Sequence, residues 1–173
     1  MTTLRLRAPQ AARPLHVVLV EPEIPPNTGN IARLCAATSS VLHLVGRLGF
    51  RIDDHAVRRA GLDYWHLVSV KQHADFEEFL REFEACGGGS LHLFCTRAPT
   101  SYLDAGFAAG DALVFGKESV GLPPDLLDRF VDRQRGIPTL GAVRSLNLAN
   151  AASVAVYEAL RQLGALDASA LAP

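Results

Sequence analysis

"EPEIPPNTGNIARLC", residues 21–35, follows the apolar run "LHVVLV" at 15–20 and leads into a segment with helical spacing. Strand, loop and helix in that order call for phosphate-cradling glycines in a GxGxxG turn. The loop carries Pro22, Pro25 and Pro26 instead, and closes on Asn27-Thr28-Gly29-Asn30 with Arg33 just beyond. A nicotinamide oxidoreductase fails for want of its glycine fingerprint. Asn27 or Thr28 suits a helix N-cap, and the prolines fix the direction of entry. Ile31, Leu34, Cys35 and Thr38 recur at spacings of three and four on one face, whereas Asn30 and Arg33 fall on another. The helix is expected to pack by the first face and to offer an amide and a guanidinium on the second.

Further along, β-rich apolar runs recur at 41–45, 66–70, 90–95, 112–115 and around 130–134. Between them lie helix-like segments at 28–38, 74–86, 124–130 and 146–163, and a short helix is expected at 53–61 with Asp53 or Asp54 as its cap. Alternation of this kind predicts an α/β fold with a mainly parallel sheet covered on both faces. The 173 residues predict one domain, from 15 to 164, preceded by a flexible arm at 1–14 bearing Arg5, Arg7 and Arg13, and followed by a tail at 165–173.

Composition narrows the classes. Hydrophobic residues make up 49% and charged residues 20%, as in globular proteins, and no apolar run reaches the ~18 residues of a membrane span. The first residues lack the apolar core of a secretory signal. Cys35, Cys86 and Cys95 are odd in number and have no CxxC spacing, which points to a reducing cytosol rather than to disulfides or zinc. Six histidines without HxxxH or HExxH spacing give no reason to expect a metal. With a net charge of −1, a polyanionic partner must be held by a local patch. The candidates are Arg47, Arg51, Arg58 and Arg59, then Arg129, Arg133 and Arg135.

A second cluster, "LVFGKESVGLPPDLL" at 113–127, runs from an apolar strand through Gly116-Lys117-Glu118-Ser119 to Gly121 and a Pro123-Pro124 helix start. Its glycines let a ligand approach the main chain. A P-loop is excluded, because Asp111 stands where its first glycine belongs and Glu118 where Ser or Thr must follow the lysine. A third cluster, "GIPTLGAVRSLNLANAASVAVYEALRQLG" at 136–164, places Arg144-Ser145-Leu146-Asn147 before an alanine-rich helix. Ser145 and Asn147 suit its N-terminal cap, and Ala149, Ala151, Ala152 and Ala155 permit another backbone to pack closely. The candidate ligand loops thus follow the later strands.

Together, in this order, the clusters resemble the three motifs of the SpoU class of SPOUT methyltransferases. They are most similar to the family that 2′-O-methylates the wobble nucleotide of tRNA, cytidine or uridine 34. The likeness runs from about Leu15 to Leu163 and includes "RRAGLDYWH". It implies a parallel-sheet α/β fold with a deep C-terminal trefoil knot. It also implies a cytoplasmic homodimer built on the first and last helices, and a tRNA anticodon stem-loop as partner. The cofactor it implies is S-adenosylmethionine, leaving as S-adenosylhomocysteine, with no metal. Residue by residue, Phe94 and Gly116 are expected to border that cofactor and Ile137 and Ser145 to add contacts. By extension Cys95, Gly121 and Leu146 line the same pocket.

Arg33, Asn27, Glu118, Ser145 and Asn147 match positions that related ribose methyltransferases use around the reacting hydroxyl. A guanidinium beside a 2′-OH stabilises developing alkoxide charge. Arginine is almost never neutral, so Arg33 is assigned electrostatic activation and phosphate positioning rather than proton abstraction. Asn27 and Asn147 are assigned orientation, and Glu118 the bracing of its loop. The chain departs from the family at Ala142-Val143, where a polar, often acidic pair is expected, and in reading Gly-Lys-Glu-Ser where Gly-Pro-Glu-Thr is also common. Two alternatives stay open at this point: methylation of another RNA site, in ribosomal RNA or elsewhere in tRNA, and a knotted RNA-binding protein without catalysis.

Overall fold

The computed structural model describes residues 4–50 and 65–172. The helix expected at 53–61, with Arg51, Arg58 and Arg59, lies outside the described residues. The strands are β1 (Arg5–Arg7), β2 (His16–Val20), β3 (Val41–Val45), β4 (Val70–His73), β5 (Leu91–Phe94), β6 (Ala112–Phe115), β7 (Gln134–Arg135) and β8 (Ala170–Ala172). The helices are α1 (Pro25–Thr38), α2 (Phe76–Ala85), α3 (Pro124–Arg129) and α4 (Leu148–Gln162).

Six strands form one sheet in the order β4-β3-β2-β6-β5-β7, and every neighbouring pair is parallel. Successive side chains of β2 point to opposite faces. Val17 and Leu19 pack with Ile31, Leu34, Ala152 and Val156 of α1 and α4. Val18 and Val20 pack with Phe79 and Phe83 of α2 and Leu126 of α3. Burial on both faces is why these strands read as unbroken apolar runs. Ala152, Ala155 and Ala159 are fully buried, and their small side chains let α4 lie close to α1 and β6. A larger residue at Ala152 would overpack that contact at a cost of about 1–3 kcal/mol.

Local chemistry moves several expected boundaries. The run at 66–70 is not a strand: Trp65–Leu67 is a single 3₁₀ turn, and β4 starts at Val70, once Leu42 N has bonded Ser69 O at 2.9 Å. Around 130–134, Val131–Arg133 is also a 3₁₀ turn and only Gln134–Arg135 pairs, with β5. Helix α1 begins at Pro25, so neither Asn27 nor Thr28 is its cap. Pro25 and Pro26 occupy the first turn, where a missing N–H costs nothing, and the cap position is Ile24, which has no capping side chain. At α4 the cap is Asn147 alone, and Ser145 stops two residues short of it.

Residues 5–7 of the arm and 170–172 of the tail pair with each other. β1 and β8 form a separate antiparallel ribbon with Leu6 opposite Leu171. Within the main sheet, His16, His43 and His73 link β2, β3 and β4. His16 Nδ1 lies 2.9 Å from His43 Nε2, and His43 Nδ1 lies 2.9 Å from His73 Nε2. Phe79 and Phe83 of α2 pack edge-on against these rings. A neutral imidazole has one donor and one acceptor, so the chain of rings must share one polarity. No helix among the described residues is long and apolar enough to cross a membrane.

Candidate active site

The order of the sheet reverses between β2 and β6, and ligands of open parallel sheets bind beyond the carboxyl ends of strands at such a point. A cleft of about 1400 Å³ opens there. Phe94 and Phe115, at the ends of β5 and β6, stack with their ring centroids 4.7 Å apart and form one wall. Cys95, Gly116, Gly121 and Ile137 line the cleft with them, and Ser145, Leu146 and Asn147 border it from the exposed loop before α4.

Sterics explain the glycines. A Cβ on Gly116 would lie 2.1 Å from the carbonyl carbon of Gly121, so only glycine lets the loop fold back on itself. That return is closed by Lys117 and Gly121, each donating its N–H to the other's carbonyl at 3.1 and 2.9 Å. Gly121 has φ +80°, a backbone region open to glycine.

Glu118 points from this loop to the start of α1. Its Oε2 accepts from Glu23 N at 2.8 Å, and its Oε1 accepts from Ile24 N at 3.2 Å and from Asn27 Nδ2 at 3.0 Å. The cap that α1 lacks locally is therefore supplied from 94 residues away, at the helix end where negative charge is favoured. With its oxygens engaged by three N–H donors, Glu118 ties its loop to the start of α1. Asn27, buried, extends the connection: its Oδ1 accepts from Asn147 Nδ2 at 3.0 Å. Asn147 Oδ1 then accepts from Ala149 N at 2.9 Å. One polar line, Glu118 to Asn27 to Asn147, joins all three sequence clusters.

Arg33 stands apart. It is exposed on α1, on the same side as Asn30, and is not among the residues that line the cleft. Of the basic patches, Arg129 pairs with Glu77 and lies 5.1 Å over the ring of Phe130. Arg135 donates to the carbonyls of Asp132 and Gln134 at 3.0 and 2.7 Å.

Two pairings escape a reading of the sequence. Glu23 Oε2 accepts from Ser119 N at 3.1 Å, and Lys117 Nζ meets Glu21 Oε2 at 2.7 Å. The Ser119 hydrogen bonds hold Glu23 below the usual carboxylate range, and the bond to Glu21 holds Lys117 above the usual amine range. Glu21 itself takes a left-handed turn, φ 50°, and Gly46 leaves room for its side chain. Charged residues in both loops were visible, but nothing in their spacing pairs them across the sheet.

Burial pushes the Cys95 thiol up, against backbone hydrogen bonds from Arg97 and Ala98, and pushes the buried Cys35 up to about 12. Among the described residues, no three His, Cys, Asp or Glu side chains converge as a metal site.

The chain is similar in sequence and in fold to known proteins. Residues 14–157 match the family model described as the SpoU rRNA Methylase family. A tRNA (cytidine(34)-2'-O)-methyltransferase of Aeromonas hydrophila is 51% identical over 87% of this chain and 95% of its own. The enzyme of the same name from Photorhabdus asymbiotica is 48% identical over 87% of this chain and 94% of its own. Among solved structures, one described as giving structural insights into the 2-OH methylation of C/U34 on tRNA has 47% identity and a TM-score of 0.81, covering 87% of this chain and 97% of that one. The SpoU methyltransferase AviRb of Streptomyces viridochromogenes, in complex with AdoMet, has 26% identity and a TM-score of 0.75, covering 90% of this chain and 63% of that one. The match of the family model to residues 14–157 and the near-half identity over most of both chains show that the chain belongs to the SpoU methylase family.

Proposed function

We propose that this protein is an S-adenosylmethionine-dependent tRNA methyltransferase that methylates the ribose 2′-hydroxyl of nucleotide 34, cytidine or uridine, in the anticodon loop. The reading rests on one observation: the Glu118–Asn27–Asn147 line draws all three motifs to the mouth of a single cleft. The names of the Aeromonas and Photorhabdus relatives, near half identity over most of both chains, support the choice of substrate.

The cleft fits the cofactor chemically. Apolar surface from Phe94, Phe115, Ile137 and Leu146 suits an adenosyl group, and the loop at Gly116 brings main-chain donors and acceptors where a Cβ would intrude. When bound, S-adenosylmethionine supplies an electrophilic methyl group. The chain's own residues then have positional tasks. Asn27 and Asn147, each fixed at both ends of its amide, orient the ribose against the cleft, and Ser145 adds a hydroxyl beside them. Glu118 holds loop and helix in register. Such positioning accounts for much of a displacement that needs little covalent help.

Arg33 activates the hydroxyl electrostatically. Because it does not line the cleft of its own chain, its place in this reading is a homodimer interface on α1 and α4. Val154 and Tyr157 leave exposed apolar surface on α4 for a second copy. The segment after β6 threads as a trefoil knot within a domain of residues 15–164, as the resemblance to the SpoU class implies.

The test is to incubate the protein with labelled S-adenosylmethionine and total tRNA from a strain lacking it. Nuclease digestion and mass spectrometry then map the label. Label in the ribose of nucleotide 34 is expected. Label elsewhere reassigns the substrate, and binding without transfer overturns the enzymatic reading.

A further inference from the structure

We propose that Glu23 is a positioning residue for methyl transfer: with Glu118 it forms a reciprocal clasp that holds the Gly116–Gly121 loop in its cofactor-binding shape. The inference rests on the cleft being the S-adenosylmethionine site. Glu23 gives its backbone N–H to Glu118 Oε2 at 2.8 Å, and its own Oε2 takes the N–H of Ser119, the residue after Glu118, at 3.1 Å. Each carboxylate thus binds the backbone of the other's loop. This is the reciprocity of a capping box, made here across 96 residues rather than within one turn. Lys117 sits in the same loop beside the clasp, and its ammonium pairs with Glu21 at 2.7 Å.

The geometry makes Glu118 dependent on Glu23. Glu118 reaches Asn27 only if its own backbone stays where Ser119 is tied, and Asn27 in turn meets Asn147. Gly116 and Gly121 border the cleft from the same loop, with Lys117 and Gly121 pairing across its neck. Release of the Ser119 N–H therefore loosens the cofactor wall and the brace of the reacting end together, while the sheet and the outer surface stay as they are.

Calorimetric titration of Glu23→Ala with S-adenosylhomocysteine is expected to raise Kd about tenfold, the scale of one lost charge-assisted hydrogen bond. At saturating S-adenosylmethionine, kcat should also fall about tenfold while KM for tRNA stays within about twofold, the split expected of a group that positions without touching RNA. Glu23→Gln keeps an acceptor oxygen for Ser119 N–H and should recover cofactor affinity to within about threefold. Glu23→Asp keeps the charge but shortens the reach, and should resemble the alanine variant. It also carries the test if the alanine variant fails to fold. Wild-type affinity and kcat in Glu23→Ala, or a Glu23→Gln protein as impaired as Glu23→Ala, would overturn the proposal. The binding arm needs no RNA, so an error in the tRNA assignment would leave it intact, whereas wild-type protein that binds no S-adenosylhomocysteine would sink the cofactor reading itself.

Discussion

Asn147 donates through Nδ2 to Oδ1 of Asn27 at 3.0 Å, joining side chains 120 positions apart. The oxygen of the same amide caps α4, accepting from Ala149 N at 2.9 Å and from Asn150 N at 3.4 Å. Helix stability and site geometry therefore depend on opposite ends of one side chain. Asn147→Asp separates them. The carboxylate still caps α4 and is favoured at a helix N-terminus, but it turns an acceptor towards Asn27 Oδ1. The aspartate variant should keep its unfolding midpoint and lose at least about tenfold in kcat, whereas Asn147→Ala should also lose about 1 kcal/mol of stability. Urea unfolding beside methyl-transfer assays checks both, and a fully active aspartate variant would refute the orienting role.

Arg33 lies on the exposed side of α1 and outside its own cleft. Arg33→Ala should bind S-adenosylhomocysteine like the wild type and lose about 10²- to 10³-fold in kcat, the scale for removing one donor from a developing oxyanion. If the guanidinium serves the neighbouring subunit, co-expression with a variant that cannot bind cofactor should restore activity. Random pairing leaves one competent site in half of the dimers, about a quarter of full activity. Co-expressed protein as inactive as either variant alone would rule out a shared site.

How far the sequence reveals this site depends on how local each signal is. The runs at 41–45 and 112–115 coincide with β3 and β6, because strands buried on both faces are continuous in sequence. The α1 boundary was misplaced because Pro25 and Pro26 occupy its first turn, and the bond from Ile24 N to Glu118, which no local pattern reveals, arrives from another loop. The Glu23–Ser119 bond was hidden for the same reason, since it exists only once β2 and β6 are neighbours. The Gly116 requirement was legible in kind, as close approach to the main chain. Its cause is contact with Gly121 of the same loop, which spacing does not specify.

That contact gives a third prediction. In Gly116→Ala the new methyl would stand 2.1 Å from the Gly121 carbonyl carbon and 2.2 Å from Leu122 N, both backbone atoms that no rotamer change can move. The loop must open, breaking the Lys117–Gly121 pair. A loss of about 1–3 kcal/mol, as for other overpacked sites, should accompany at least a tenfold rise in Kd for S-adenosylhomocysteine. Denaturant unfolding and calorimetry provide the check. An alanine variant with wild-type affinity would mean that the folded-back loop is not what the cofactor meets.

The buried histidine chain should make the fold sensitive to acid. Burial, then the positive charges of Lys71 and Arg13, lowers His16 to about 4. Burial, then its histidine neighbours and Lys71, lowers His43 to about 3. Burial also lowers His73, against the opposing pull of Glu82 and Glu78. Each ring binds protons less readily folded than unfolded, so the unfolded chain takes them up first as pH falls. The stabilisation is complete above the ordinary histidine value of 6.5 and is lost from there down towards about 4 and 3. Between pH 6.5 and 5, ordinary carboxylates scarcely titrate, so the slope there reports histidines. The urea midpoint should fall clearly between pH 7.5 and pH 5. His43→Leu removes the central ring and leaves His16 Nδ1 and His73 Nε2 without their partner. It should be about 1–3 kcal/mol less stable at pH 7.5 and show a flatter slope below pH 6.5. A wild-type midpoint unchanged between the two pH values would mean that these rings do not govern acid stability.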